Sequence, residues 1–278
     1  MERMTKKLAA ALLPPRKADG HKGSFGKVCV IGGSVGYTGA PVYAAEAATR
    51  TGSGLVFLGT PGEVYPIVAC RCDSAMAFPL PAEPDALLHR LNGYDAVLIG
   101  PGLGADEELR ALARFLLKKL TCPVVLDADG INAAAAHIDS LKNRTAPTVV
   151  TPHEGEFLRL GGDLSEGREA GAAKLAKELG CTVVLKGPGT IVAAPDGRLR
   201  QNTTGSCALA KGGSGDVLAG VILSLLGQGC NVFDAASAGV WLHGRAGDRV
   251  EERLSAYGLA PSDLVGEIPF CIKELLEE

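Results

Sequence analysis

The chain has 278 residues, of which 46% are apolar and 21% charged, a balance typical of a soluble globular protein with a large core. Its 28 Lys and Arg residues nearly match its 31 Asp and Glu residues, and the net charge of −3 gives no sign of a surface for nucleic acid or an anionic membrane. Glycine is frequent, at 37 residues, about twice the average share, which indicates a backbone that comes close to its ligands.

The N-terminal segment predicts a short amphipathic helix. Its apolar run from Leu8 to Leu13 is six residues long and ends at Pro14 and Pro15, too short for the apolar region of a signal peptide. No window approaches the roughly 20 apolar residues of a membrane span. We therefore expect a cytoplasmic protein.

Apolar runs of strand length follow, most of them continuous and rich in Val, Ile and Leu, as in strands buried on both faces of a parallel sheet. These runs cover residues 27–31, 54–58, 96–99, 123–126, 148–151 and 182–185. Helical patterns lie between them, at residues 41–50, 105–120 and 167–179. Strands that alternate with helices predict βαβ crossovers.

The pattern changes after Lys186. Residues 190–194 and 199–202 read as short strands joined by a tight turn, which predicts a short antiparallel edge. A helix with one apolar stripe follows at residues 213–226. We therefore predict an α/β fold, a three-layer α/β/α sandwich around a mostly parallel sheet. No linker, repeat or low-complexity tract interrupts residues 1–278, so we expect a single domain.

The segment from Lys211 to Asp216 is the sharpest candidate site. The amides of Gly213, Ser214 and Gly215 fall at the start of the predicted helix, where they have no intrahelical partner and, with the helix dipole, attract an anion. A carboxylate beside such a site repels its ligand unless it has a task, and Asp216 would suit proton abstraction from a hydroxyl that attacks phosphorus. The alternative interpretation is a simple helix cap, which does not require three glycines in four residues.

Three further loops follow predicted strands. Lys186 opens a Gly-Pro-Gly turn and would meet a phosphate there, although a plain hairpin turn fits the same residues. Residues 32–41 and 100–104 form two glycine-rich loops that fit neither a Walker A loop nor the dinucleotide fingerprint. Both stand where open α/β sheets bind ligands.

Several polar motifs resemble metal-binding motifs but lack residues that those motifs require. Residues 127–130 resemble the start of a calcium loop, but Asn132 and Ile138 stand where Gly and Glu are required. His153 and Glu154 begin like a zinc-protease helix, yet Phe157 replaces the second histidine. Either ligand contact or a structural role fits four polar residues that follow strands: Asp129, Asn132, His153 and Glu156. The eight cysteines are predicted to be free buried thiols in a reducing cytosol rather than a zinc site.

Six motifs occur in the order GSVGYTGAP, GPGLG, DADGIN, TPHEGEF, LKGPGT and NTTGSCALAKGGSGDVLAG. In this order they resemble the ADP-dependent NAD(P)H-hydrate dehydratase family of the ribokinase-like superfamily. The resemblance covers roughly residues 20–270. It implies a ribokinase-like fold and the repair of hydrated NADH or NADPH, in which ADP is consumed and AMP and phosphate are formed.

The resemblance also implies site residues. The S form of the hydrate would bind near residues that match the family's substrate site: Ala40, Gly104, His153 and Asp216. The nucleotide would bind residues that match its ADP site: Lys186, Gly187, Pro188, Gly189, Thr190, Ser206, Cys207, Ala208, Leu209, Ala210, Lys211, Gly212, Gly213, Ser214 and Gly215. Asp216 would be the catalytic base, and Mg²⁺ would assist at ligands that the sequence does not identify.

Two alternatives remain open at this point. An ATP-dependent kinase of hydroxymethylpyrimidine or thiazole type would share Asp216 and the anion site, and a nucleotide sensor would not need Asp216. The motif series fills the chain, so we expect no second domain for epimerising the R form. We further expect small-molecule substrates only and a homo-oligomer, for instance a tetramer.

Overall fold

The central feature of the computed structural model, which describes residues 1–277, is a ten-stranded sheet. The strands are β1 Glu2–Arg3, β2 Lys27–Ile31, β3 Leu55–Thr60, β4 Met76–Pro79, β5 Ala96–Ile99, β6 Val124–Leu126, β7 Thr148–Val150, β8 Thr182–Leu185, β9 Ile191–Ala193 and β10 Leu199–Gln201. Their order across the sheet is β1-β10-β9-β8-β7-β6-β5-β2-β3-β4.

Helices cover both faces of this sheet. They are α1 Lys6–Ala11, α2 Gly39–Arg50, α3 Tyr65–Arg71, α4 Pro84–Leu91, α5 Glu107–Lys119, α6 Asp129–Ala135, α7 Asp139–Lys142, α8 Glu154–Arg159, α9 Arg168–Leu179, α10 Ser214–Gly227, α11 Val232–Gly258 and α12 Pro261–Leu276. Short 3₁₀ helices span Lys22–Phe25 and Cys207–Leu209. Within residues 1–277 none of the helices has the length and apolar character needed to cross a bilayer.

The predicted α/β sandwich is confirmed. Strands β2 to β8 all run parallel, whereas β9 is antiparallel to both β8 and β10 and forms the predicted antiparallel edge. Alternate residues of β2 enter two separate cores, because Val28 and Val30 pack on one face while Cys29 and Ile31 pack on the other. The carboxyl ends of the parallel strands therefore share one edge of the sheet.

The sheet is wider than the sequence pattern predicts. Strand β4 was missed because it is short, carries Pro79 and exposes Met76 at the edge of the sheet. Strand β1 has only two residues, but it pairs with β10, and the Met4 amide donates to the Gln201 carbonyl at 2.9 Å. Pairings of this kind are decided by tertiary contacts and leave little periodic signal.

Helices α2 and α10 cross in close contact on one face of the sheet, and a glycine makes this contact possible. A Cβ built on Gly220 of α10 would lie 2.1 Å from the carbonyl oxygen of Ala44 in α2. Such a distance is impossible without moving backbone. Helix α10, whose first turn holds the candidate anion site, is thus fixed against the core along its length.

We expect Gly220→Ala to lower the free energy of unfolding by about 1–3 kcal/mol, because overpacking against backbone outweighs the gain in helix propensity. Gly266 in α12 is the matched control, since a Cβ there would meet nothing within 4 Å. Gly266→Ala should stabilise the protein by about 0.5–1 kcal/mol. Urea unfolding of both variants measures this, and equal effects would show that α2 and α10 pack less closely than described.

Candidate active site

Loops after five parallel strands build the candidate site. Gly32 follows β2, Gly100 follows β5, Asp127 follows β6, His153 lies three residues beyond β7, and Lys186 follows β8. Because these strands are parallel, their loops gather along one edge of the sheet. The first turn of α10 lies against the same edge, since a Cβ on Gly215 would be 3.5 Å from the Nζ atom of Lys186.

The start of α10 supplies free backbone donors. Gly213 is the residue before the helix and has φ +95°, a conformation that favours glycine. The Ser214 amide donates to the Lys211 carbonyl at 3.2 Å, so it is partly used inside the turn. Within residues 1–277 the amides of Gly213 and Gly215 have no such backbone acceptor. The predicted anion site is therefore carried mainly by the two glycines on either side of Ser214.

Lys186 is anchored rather than flexible. Its amide donates to the Pro152 carbonyl at 2.9 Å, and its Nζ donates to Oδ1 of Asp127 at 2.9 Å. The Glu156 carboxylate lies 3.8 Å from the same Nζ. Burial opposes the charge on Lys186, but the carboxylates of Asp127 and Glu156 outweigh it and raise the pKa of the ammonium. The lysine is thus a fixed cation next to the start of α10.

Asp127 lies at the centre of the candidate site, although its sequence context did not predict this. Its side chain is only 2% exposed and accepts hydrogen bonds from Thr151 Oγ1 at 2.7 Å and from Lys186. The next residue, Ala128, has φ +48° and ψ −118°, which is strained for a residue with a side chain. The turn separates the two carboxylates. That of Asp127 bonds to Lys186, whereas Oδ2 of Asp129 accepts from the Gly104 amide at 2.8 Å.

Asp216 lies in the first turn of α10 among these charges. Burial raises the pKa of its carboxyl to about 7, and the nearby Asp127 carboxylate adds to the rise, while Lys186 opposes it. A carboxyl with this pKa is half ionised near neutral pH. It can take up a proton and release it again, as a general base must.

His243 of α11 was also missed. The ring is buried, and its Nε2 lies 3.1 Å from Oγ of Ser214. Burial lowers the pKa of this imidazole to about 4, so the ring is neutral at physiological pH. The pair fixes the Ser214 hydroxyl at the mouth of the anion site without adding charge.

A pocket of about 770 Å³ adjoins the start of α10 and contains most of the predicted nucleotide residues. Its lining includes Lys186, Gly187, Pro188, Gly189, Thr190, Ser206, Cys207, Leu209, Ala210, Lys211, Ser214 and Gly215. Three predicted residues do not line it: Ala208 is buried beneath it, and Gly212 and Gly213 lie in the turn before α10. The pocket is large enough for a nucleotide.

The predicted substrate residues lie along a second part of the edge. The two glycine-rich loops pack on each other, since the Gly33 amide donates to the Pro101 carbonyl at 2.9 Å and Ser34 Oγ donates to the Gly102 carbonyl at 2.9 Å. Ala40 adjoins this contact, because a Cβ on Gly102 would lie 3.2 Å from its Cβ. The Gly104 amide donates to Asp129, whose carboxylate in turn lies near Asp216.

The other polar residues after strands have local partners. His153 caps α8, since its Nδ1 accepts from the amides of Gly155 and Glu156 at 3.0 and 3.3 Å, yet its half-exposed ring also lines the pocket. Asn132 bonds to Asp129 and Arg159. Across residues 1–277 no three His, Cys, Asp or Glu side chains cluster as metal ligands.

All eight cysteines are free, as predicted. Cys29, Cys181 and Cys271 are buried, but Cys70 and Cys207 are exposed, which corrects the expectation of buried thiols throughout. Cys207 lies in the wall of the large pocket because the 3₁₀ helix that carries it borders that pocket.

Comparison with known proteins gives a consistent result. A family model described as NAD(P)H-hydrate dehydratase matches residues 28–270. The ADP-dependent (S)-NAD(P)H-hydrate dehydratase of Neisseria meningitidis is 40% identical over 262 residues, which cover 91% of this chain and 86% of that protein. The bifunctional NAD(P)H-hydrate repair enzyme Nnr of Moorella thermoacetica is 40% identical over 279 residues, which cover 96% of this chain and 53% of that protein. The chain spans about half the length of such bifunctional relatives.

Solved structures agree. A ribokinase-like superfamily protein from Enterococcus faecalis superposes with a TM-score of 0.88 at 29% identity, covering 99% of this chain and 96% of that one. The ADP/ATP-dependent NAD(P)H-hydrate dehydratase of Bacillus subtilis, co-crystallised with ATP and Mg²⁺, has a TM-score of 0.84 at 32% identity, covering 99% and 98%. The sandwich is therefore ribokinase-like.

The ion pair of Lys186 and Asp127 should contribute to the stability of the fold. Lys186→Met should lower the free energy of unfolding by about 3 kcal/mol, because it leaves Asp127 buried without its cation. The double variant Asp127→Asn/Lys186→Met should recover part of that loss. Lys273→Met, which removes an exposed partner of Glu277, should cost less than about 1 kcal/mol. Denaturant unfolding of the wild type and these three variants measures the losses, and a double variant no more stable than Lys186→Met would show that the cost does not come from an unpaired Asp127 carboxylate.

Proposed function

We propose that this chain, which belongs to the NAD(P)H-hydrate dehydratase family, repairs NADH and NADPH that have been hydrated on the nicotinamide ring. The reaction is the ADP-dependent dehydration of the S form of the hydrate, which yields NAD(P)H, AMP and phosphate. One feature of the site supports the proposal independently of the family. Asp216, whose pKa is raised by burial to about 7, lies beside free amides and the fixed ammonium of Lys186.

The chemistry follows from the leaving group. Hydroxide leaves poorly from carbon, and transfer of the β-phosphoryl group of ADP to the hydroxyl oxygen converts it to a phosphate ester. In this step the bond between the hydroxyl oxygen and phosphorus forms, the bridging P–O bond of ADP breaks, and AMP departs. The lone pair of the ring nitrogen then expels phosphate, the C–O bond breaks, and loss of the neighbouring ring proton restores the double bond.

Each residue has a task in the transfer. Asp216 accepts the proton of the attacking hydroxyl. The amides of Gly213 and Gly215 and the ammonium of Lys186 face the place where negative charge gathers on the phosphoryl oxygens. Asp127 holds Lys186 in position, and the neutral His243 holds the Ser214 hydroxyl. The glycine-rich loops near Ala40 and Gly104 would receive the nicotinamide side.

The carboxylates fit a magnesium ion that enters with the nucleotide. Mg²⁺ prefers one or two carboxylates together with phosphate oxygens and water rather than a cage made of protein. Asp127 would hold the ion through Oδ2, since its Oδ1 accepts from Lys186 and Thr151. When bound, it offsets charge on the phosphoryl oxygens.

The kinase and sensor alternatives are less well supported. The hydroxyethylthiazole kinase of Pyrococcus horikoshii is 20% identical with a TM-score of 0.57, so it shares only the fold. A nucleotide sensor has no use for a carboxylate placed against its own phosphate site. We also propose, as the family resemblance implies, that the protein acts in the cytoplasm as a homo-oligomer, for instance a tetramer, on small molecules alone.

The direct test is turnover of purified hydrate with ADP or ATP and Mg²⁺. We expect absorbance at the reduced-nicotinamide band to recover, with AMP and phosphate formed from ADP. Chromatography identifies the nucleotide product. A hydroxymethylpyrimidine or thiazole substrate that is phosphorylated with formation of ADP from ATP, while the hydrate stays unchanged, would assign the kinase reaction instead.

The base predicts a pH profile. Because Asp216 accepts a proton only as a carboxylate, kcat/KM should rise as pH increases through about 7 and level off above it. Asp216→Asn should lower turnover by about 10²-fold or more and remove this rise, while ADP still binds. Steady-state rates between pH 5 and 9 and calorimetry with ADP measure both effects. Near wild-type turnover in the variant would exclude Asp216 from the reaction.

The anion site predicts a separate effect on binding. Gly215 has no positive φ and a Cβ there meets only Lys186 Nζ at 3.5 Å, so Gly215→Val should fold. Its side chain fills the space between the helix start and the lysine. ADP binding should weaken by about 1.5–3 kcal/mol, the scale of a lost charge-assisted hydrogen bond. Unchanged ADP affinity by calorimetry would move the phosphates away from this position.

A further inference from the structure

The loop from Lys186 to Thr190 is a thin wall between two spaces. On its inner side is the pocket of about 770 Å³, and on its outer side is a groove of about 610 Å³. Pro188 and Gly189 line both. Arg168, the first residue of α9, lines only the outer groove. Anything that Arg168 does for a nucleotide in the pocket therefore passes through this loop.

Arg168 bonds to the backbone at the start of the loop. Its Nη2 donates to the carbonyls of Leu185 and Lys186 at 3.1 and 3.0 Å. Strand β8 ends at Leu185, so these carbonyls mark the junction of strand and loop. Both hydrogens of this one guanidinium nitrogen are therefore used by the loop, while Nη1 donates to Glu154.

Gly187 shows how close this contact is. Its φ is +145°, and a Cβ built there would lie 2.7 Å from Nη2 of Arg168. The guanidinium therefore rests against the loop backbone itself. Lys186 is then held on three sides: its amide by Pro152, its carbonyl by Arg168 and its ammonium by Asp127.

The other contacts of the Arg168 guanidinium do not explain its position. Its Nε is buried and has no hydrogen-bond partner in the part of the chain that the structure describes. Its ion pair with Glu154 is solvent-accessible, since the Glu154 side chain is 56% exposed, and such pairs contribute little. The two loop carbonyls are its buried acceptors.

We propose that Arg168 is a positioning residue for the nucleotide: it supports the Lys186–Thr190 loop from outside and keeps Lys186 and the loop backbone in place for the phosphates of ADP. The proposal rests on the proposed function in that ADP is the nucleotide. It assigns to Arg168 a role in binding and none in the transfer step, because the side chain does not enter the pocket.

The test compares Arg168→Gln and Arg168→Lys with the wild type. Arg168→Gln should raise the dissociation constant of ADP about tenfold or more, the loss of at least one charge-assisted hydrogen bond expressed as affinity. At saturating ADP, kcat should change less than about threefold, because Asp127 still holds the Lys186 ammonium that acts in the transfer, and the variant frees only the loop backbone. Arg168→Lys should be intermediate. Exchange of the amide hydrogens of Lys186, Gly187, Gly189 and Thr190 in the ligand-free protein should speed up in the same order.

Two controls separate this role from general damage. Arg198→Gln removes an exposed arginine that pairs with Asp196 in the β9–β10 turn, and it should change neither ADP affinity nor loop exchange. Glu154→Gln breaks the ion pair of Arg168 but spares the loop carbonyls, and it should leave ADP affinity within about threefold.

Unchanged ADP affinity in a folded Arg168→Gln protein would overturn the proposal, and so would an equal fall in kcat and kcat/KM with ADP affinity kept. Failure of the proposed function is distinguishable. A wild-type protein that binds ADP but leaves the hydrate unchanged would refute the dehydration, while the comparison of ADP affinities and exchange rates would still decide the role of Arg168.

Discussion

The ion pair between Lys186 and the buried Asp127 is the interaction on which the rest of the site depends. It joins the carboxyl ends of β8 and β6, residues that lie 59 positions apart in the chain. Leaving either charge alone in this place would be costly, so the two strands and their loops are held in one arrangement. The ammonium is thereby kept next to the free amides of α10, where a phosphate can use both.

The same cluster explains why an acid at an anion site is useful. Burial and the Asp127 carboxylate raise the pKa of Asp216, and Lys186 limits the rise, with the result near 7. A carboxyl in a less buried place would stay ionised and be a weak base. The strained backbone at Ala128 is part of this arrangement, because it separates two neighbouring carboxylates. Asp127 bonds to Lys186, and Asp129 bonds to the Gly104 loop.

The sequence predicted what is encoded locally and missed what depends on tertiary contacts. The free amides at the start of α10 were predictable because glycines, a helix start and Asp216 occur within six residues. Lys186 was predicted as a phosphate contact, but its anchoring was not, since Asp127 had been considered only as part of a rejected calcium loop. His243 and Arg168 act through partners 29 and 18 residues away and leave no motif of their own. Strands β1 and β4 were lost because edge strands are short and irregular.

The proposed reaction requires that the substrate hydroxyl near Asp216 attacks phosphorus and leaves as phosphate. Hydrate labelled with ¹⁸O at the C6 hydroxyl, turned over with unlabelled ADP in unlabelled water, tests this most directly. We expect the label to appear in inorganic phosphate, which mass spectrometry detects. Label that is released into water, with unlabelled phosphate formed from ADP, would contradict phosphoryl transfer to the substrate and with it the role assigned to this site.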